Sequence, residues 1–270
     1  MLDKLERLPA DPILGLAAAA RADTNPDKVD LTLGVYMDES GVCPVFEAVQ
    51  KAQLALEQEE TTKTYMPPAG DSAFNDGIKT LLLGAGHPAL VDGRVSSVQA
   101  PGGCGALRIG AEIVFAAAPD AKVWVSDPTW PVHIPLLGSV GLEFATYRYY
   151  DPASHGVDFD GMVEDLKNAS AGDEVLLHGC CHNPCGADLS LEQWGVIADM
   201  AEAQGFVPFV DIAYQGLGDG LDEDAAGVRL LAGRLPEVIV ASSCSKNMGL
   251  YRERTGAVIF ICKDRDNAEA

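Results

Sequence analysis

Positive charge is the scarcest feature of this chain. Its 270 residues carry 19 Lys and Arg against 40 Asp and Glu, a formal net charge of −21. A surface of that sign repels nucleic acid and anionic membranes, so neither is an expected partner. Long apolar runs are missing too. No stretch approaches the ~18 consecutive apolar residues of a membrane span, and the opening MLDKLERLPADPILGL lacks the basic segment of a secretory signal. A cytoplasmic protein is therefore expected. Cysteine is present but not as a framework: the count of seven is odd, and Cys180 and Cys181 are adjacent in an apolar run. What remains is a globular composition, 47% hydrophobic, in a chain long enough to bury one α/β domain or slightly more.

Periodicity divides the chain into alternating elements. A short apolar helix over 13–20 has Asp11 as its candidate cap, and residues 28–36 read as an extended stretch in which Gly34 lets backbone approach something closely. Helices are expected over 46–60, 72–83, 106–118, 158–167, 191–204 and 227–234. Apolar, β-rich runs near residues 95, 122, 142, 174, 207, 238 and 257 read as seven strands. With helices between most of them, this is α/β: three layers, α/β/α, around an open and mainly parallel seven-stranded sheet. Gly103, Trp130, Asn183, Asp211 and Lys246 each fall just after a strand, hence on one edge of that sheet. Open α/β sheets bind their ligands at that edge.

Each of these positions also has a plainer reading. The turn PGGCG at 101–105 presents free N–H groups at a helix start and suits a phosphate. It is equally a partial dinucleotide fingerprint, with Asp127 placed as the ribose-binding acid. There the third glycine position holds Arg108. That reading would make the protein an NAD-dependent oxidoreductase. Trp130, between Pro128 and Pro131, is either core filling or an indole face for a flat ring. The cluster CCHNPC at 180–185 suggests a metal. However, Cys180 and Cys181 would point to opposite faces of a strand, and no second Cys/His cluster completes a ligand set, so no metal is expected. Asp211 alone would read as a helix cap. Lys246 lies on a loop between two buried strands, after Ser242, Ser243 and Ser245 and before Arg254. A lysine so held is the type of group that attacks a carbonyl to form a Schiff base. A hydroxyl and a guanidinium fork, Ser243 and Arg254, suit a dianionic phosphate.

Taken whole, SSCSKNMGLYRER strongly resembles the cofactor-lysine segment of the class I aspartate and aromatic aminotransferases, which use pyridoxal 5′-phosphate (PLP). PGGCGALR resembles that family's phosphate loop, with Cys104 where Thr is usual. SDPTWPVH resembles its ring-stacking loop, with Asp127 for the commoner Asn. HNPCG resembles HNPTG, with Cys185 for Thr, and DIAYQG resembles DFAYQG. Five segments match in order over nearly the whole chain.

The resemblance implies the large domain of a fold-type I PLP transferase over 41–270, incomplete at its C-terminus. Residues 1–40 would be an N-terminal arm and small-domain segment, with the small domain mostly absent. It implies that Lys246 holds PLP and moves the Cα proton, and that Asp211 pairs with the pyridine nitrogen, with His133 behind it. Asn183 and Tyr214 would bond the phenolate oxygen, and Trp130 would stack on the ring. Gly103, Cys104, Ser243 and Arg254 would hold the phosphate, joined by Tyr65 from a second subunit of a homodimer. Gly34, Trp130 and Asn183 would face the substrate. The implied activity moves an amino group between aspartate, glutamate or an aromatic amino acid and a 2-oxo acid. The family's two carboxylate-gripping arginines lie beyond Ala270. The 270-residue chain is therefore expected to bind PLP with negligible turnover, and an inactive PLP-binding remnant is the alternative.

Overall fold

The computed structural model describes residues 12–30, 32 and 34–270. The chain divides into two compact units, Met1–Val45 and Phe46–Ala270. The first carries the helix Pro12–Ala22 and a turn closed by Gly41 N–H donating to Asp38 O at 2.9 Å. The cap expected at Asp11 lies outside the described residues, as do Leu31 and Leu33 of the expected extended stretch. The described residues of that stretch form no strand. Among the described residues a Cβ added at Gly34 would meet nothing within 4 Å.

The second unit holds all seven expected strands and a small hairpin. They are β1 (Val95–Pro101), β2 (Lys122–Asp127), β3 (Glu143–Arg148), β4 (Tyr150–Asp151), β5 (Gly156–Val157), β6 (Glu174–His178), β7 (Val207–Ile212), β8 (Val238–Ser243) and β9 (Thr255–Ile261). The main sheet runs β1-β9-β8-β7-β6-β2-β3, and β4 pairs only with β5. In the main sheet every neighbouring pair is parallel except the two that involve β9.

Period-two alternation along the strands sends side chains to two cores. Val175, Leu177, Val210 and Val240 face the helices Ser72–Leu83, Phe159–Leu166, Leu191–Gln204 and Ala226–Arg234. Those helices supply Leu82, Met162, Ile197 and Leu231. Leu176, Phe209, Ile239 and Ala241 face the helix Gly102–Ala117 through Ala106, Leu107 and Ala111. The architecture is thus the expected three-layer α/β/α.

Local chemistry sets where these helices begin. Ser190 and Gln193 form a capping box, and Gly205 ends that helix in the left-handed region at φ +80°. Asp71 and Asp158 cap their helices by accepting from Phe74 N–H and Gly161 N–H. The helix Glu47–Glu59 forms as expected but buries none of its residues.

Candidate active site

One cavity lies at the C-terminal ends of the parallel strands. Its lining includes Gly103, Cys104, Trp130, Asn183, Asp211, Tyr214, Ser243, Lys246 and Arg254, together with His178, Cys180, Ala213 and Ser245. The fold thus brings together nine of the residues singled out from sequence. Gly34 belongs to the Met1–Val45 unit, and Tyr65 is fully exposed outside the cavity.

The phosphate-like end is built by backbone closeness. Gly102 opens its helix at φ +72°, and a Cβ there would lie 2.7 Å from Arg254 Nη2. A Cβ on Gly103 would lie 3.2 Å from the Ser243 Cβ, and one on Gly256 would lie 2.6 Å from Ser242 O and 2.8 Å from the Gly102 carbonyl carbon. Glycine at these positions lets a helix start, a strand end and a guanidinium share one small space. No side chain caps this helix, whereas the helices after Asp71, Asp158 and Ser190 are all capped. Its first N–H groups and the positive end of its dipole are left facing the cavity. Arg254 is itself left-handed at φ +53° and is held by its Nη1 donating to Tyr251 O at 3.0 Å. Ser243 Oγ accepts from Ser245 N–H at 3.2 Å. The sequence placed Ser245 among the hydroxyls before Lys246 without giving it a role of its own.

At the other end stands Asp211, the second-last residue of β7, with its Oδ2 3.0 Å from His133 Nε2. A carboxylate only accepts, so Nε2–H donates. Its Nδ1 is paired with Thr129 Oγ1 at 2.8 Å, and Thr129 Oγ1 is paired in turn with His178 Nε2 at 3.3 Å. Burial holds His178 well below the usual imidazole range, which keeps it neutral. Trp130 meets the His133 ring edge-on at 5.3 Å. Lys246 Nζ lies 5.2 Å from the centroid of the Tyr214 ring. Burial, followed by the charge of Asp211, pushes the Tyr214 hydroxyl up, and a hydrogen bond from Asn183 opposes the shift.

Two sequence readings are corrected here. Cys180 and Cys181 are not on opposite faces of a strand. β6 ends at His178, and the pair lies in the bend that follows, with Cys181 at φ +50° and its N–H given to Asp188 Oδ2. Cys185 Sγ sits 3.1 Å from His182 Nδ1 as a hydrogen-bond partner, and among the described residues no group of three His, Cys, Asp or Glu is placed to hold a metal ion.

The dinucleotide reading fails on topology. A ribose-binding acid must end the strand next to the one that leads into the glycine turn. Here β9, β8, β7 and β6 all lie between β1 and β2, a separation of roughly 24 Å at ~4.8 Å per strand. Nothing in the structure explains Asp127 in place of Asn.

The family described as aminotransferase class I and II matches residues 26–268. The chain is 48% identical over 269 residues to the aromatic-amino-acid aminotransferase of Paracoccus denitrificans, covering all of this chain and 68% of that one. It is 46% identical to the aspartate aminotransferase of Escherichia coli K12, with the same coverage. A crystal structure of an aromatic-amino-acid aminotransferase from Burkholderia pseudomallei, described as covalently bound to pyridoxal phosphate, superposes with a TM-score of 0.97 at 44% identity. It covers all of this chain and 67% of that one. On these matches, and on the fold they share, the chain belongs to the class I and II aminotransferases, a pyridoxal-phosphate-dependent family.

Proposed function

We propose that the cavity holds PLP through Lys246 and moves an amino group between aspartate, glutamate or an aromatic amino acid and a 2-oxo acid. The observation that carries this reading is convergence. An uncapped helix start with Arg254, the Lys246 amine and the Asp211 carboxylate, which His133 holds from behind, line one cavity. These residues fit the cofactor by their own chemistry: a dianion cup at one end, a carboxylate for a ring N–H at the other, and an amine between.

Bound PLP supplies an electron sink for the bonds at the substrate's Cα. The chain's groups do the rest. Gly103 and Cys104 N–H, the Ser243 and Ser245 hydroxyls and the Arg254 fork bind the phosphate. Asp211, braced by His133, holds a proton at the pyridine nitrogen. Asn183 and Tyr214 donate to the phenolate oxygen, and the Trp130 indole orients the ring plane. Lys246 Nζ would serve as the base that takes the proton from the substrate's Cα.

A homodimer is part of the proposal. Tyr65 is fully exposed, and the wholly unburied helix Glu47–Glu59 leaves Leu54 and Leu56 in solvent. Such a surface suits a second copy whose cofactor phosphate Tyr65 would reach. Gly34 retains its substrate-facing role on the resemblance alone. Seven free cysteines suit a reducing cytoplasm.

The test is a single turnover. PLP-loaded protein is mixed with L-aspartate, L-glutamate or L-phenylalanine without an oxo acid, and 2-oxo acid is quantified. Up to one equivalent per bound PLP, formed slowly and without sustained turnover, is expected for at least one amino acid. Cofactor bound at Lys246 with no oxo acid from any of them would leave only the inactive-remnant reading.

A further inference from the structure

His182 lies beside the cavity without lining it, and its ring is closely held. It is 2% exposed. Tyr149 stacks on it at 4.3 Å and 18°, and His178 packs on its other face at 3.8 Å and 31°. Its Nε2 is 3.1 Å from Ser126 Oγ and its Nδ1 is 3.1 Å from Cys185 Sγ.

The hydrogen positions follow from what each partner can do. Ser126 gives its single proton to Pro128 O at 2.8 Å, because a carbonyl cannot donate. Its oxygen therefore accepts from His182 Nε2–H. That leaves Nδ1 bare, and the Cys185 S–H is its donor. Burial agrees with this: it lowers His182 to about 4, with His133 acting the same way, and raises the Cys185 thiol, so both groups are neutral.

We propose that Cys185 is a positioning residue. Its S–H bond to Nδ1 locks the His182 ring against His178, and through Thr129 and His133 it holds the Asp211 carboxylate in place. The proposal rests on the reading that Asp211 faces the cofactor's ring nitrogen. The other groups facing His182 are already committed. The Tyr149 hydroxyl donates to Ala187 O at 2.8 Å, Asp188 accepts from the His182 backbone N–H at 2.8 Å, and Tyr147 donates to Leu176 O at 2.7 Å. Cys185 is the one side chain among the described residues placed to donate to Nδ1, and losing it would leave a buried acceptor bare.

The experiment compares wild type with Cys185→Val and Cys185→Ala, which lack the donor, and with Cys185→Thr and Cys185→Ser, which restore one. Two readouts are taken. In cofactor-free protein labelled with 15N-histidine, NMR follows the His178 and His133 ring resonances. In PLP-loaded protein, the pH midpoint of the cofactor's visible absorption is titrated. The Val and Ala variants are expected to move both His resonances. They should also shift the midpoint by about half a pH unit, a roughly threefold change in the equilibrium. The hydroxyl variants are expected to return both readouts towards wild type, while PLP content stays the same throughout. Equal effects of apolar and hydroxyl variants, or no movement in either, would overturn the assignment. If wild type takes up no PLP, the functional proposal fails, and the NMR comparison on cofactor-free protein still decides the role of Cys185.

Discussion

Substituting Gly102 by Ala tests the phosphate cup directly. The new Cβ would sit 2.7 Å from Arg254 Nη2 and 3.0 Å from Cζ. Ordinary contact starts at 3.4 Å, so the guanidinium must retreat by 3.4 − 2.7 = 0.7 Å or more. The end of an arginine can yield, so the fold survives while the fork leaves its aim. A charge-assisted hydrogen bond is worth about 1.5–3 kcal/mol. Losing one raises the Kd for PLP by roughly 10- to 150-fold. Holding alanine at φ +72° costs a further ~1–2 kcal/mol of fold stability. That corresponds to a Tm lower by roughly 2–8 °C for a chain of this size. Gly103→Ala is the matched control. Its φ is not left-handed, and its Cβ would stand 3.2 Å from the Ser243 Cβ, so a shift of a few tenths of an ångström relieves it. Titration of both variants with PLP, followed by tryptophan fluorescence and equilibrium dialysis, gives the two affinities. Wild-type affinity in Gly102→Ala, or a larger loss in Gly103→Ala, would refute the idea that the Gly102 gap exists to seat Arg254.

Four further outcomes are expected. Borohydride reduction of the PLP-loaded chain followed by peptide mapping should place the label on Lys246, and a label on Lys63, Lys122 or Lys263 would sink that role. Asp211→Asn should slow single-turnover chemistry by more than tenfold while PLP content falls little, because the phosphate cup rather than the carboxylate anchors the cofactor; the reverse pattern would contradict it. Cys104→Thr should tighten PLP by about 0.5–1.5 kcal/mol, since a hydroxyl donates to phosphate better than a thiol, and unchanged dialysis affinity would show that only the backbone of residue 104 matters. Glu174→Leu should stabilise the fold at neutral pH by about 1–3 kcal/mol in chemical denaturation. Glu174 Oε2 is buried without a partner among the described residues, and burial, with Glu237 and Asp173, raises its carboxyl well above 4.5. A raised carboxyl contributes its stability below 4.5 and loses it as the pH climbs through the folded value, so the gain must shrink in acid; a pH-independent gain would refute it.

The strands were legible because each is a short apolar run whose alternation serves two cores, and all seven sit where the periodicity put them. The site was legible for a related reason. Strands that end at one edge deliver whatever follows them to that edge, so Gly103, Trp130, Asn183, Asp211 and Lys246 were on a shared line before any distance was known. Residues that act through contact across the chain were not legible. The role of Gly102 comes from an arginine 152 positions later, since 254 − 102 = 152, and no local pattern announces that approach. The bend at Cys180 and Cys181 was misread because an apolar run does not show where its pairing stops. It stops when Asp188 takes the backbone N–H groups of Cys181 and His182, a contact made from seven and six residues away.

The antiparallel strand explains how so much chemistry fits between two neighbouring strands. Were β9 parallel to β8, the chain after Ser243 would have to cross back to the far edge of the sheet, as parallel connections do. Because β9 runs the other way, the whole link from Ser243 to Thr255 stays at the site edge. That link carries Ser243, Ser245, Lys246 and Arg254. β1 is antiparallel to β9 and so points the same way as the parallel strands, which brings its helix start to that edge as well. One reversal in strand direction therefore sets a helix dipole, a guanidinium and an amine around one small volume. This local positive cluster answers the chain's global charge of −21. Screening cuts the field of exposed carboxylates over about 8–10 Å at ordinary ionic strength, while groups lining a cavity act at contact distance. An anionic cofactor is thus governed by the four or five donors at the strand ends, and the acidic surface does not decide whether it binds.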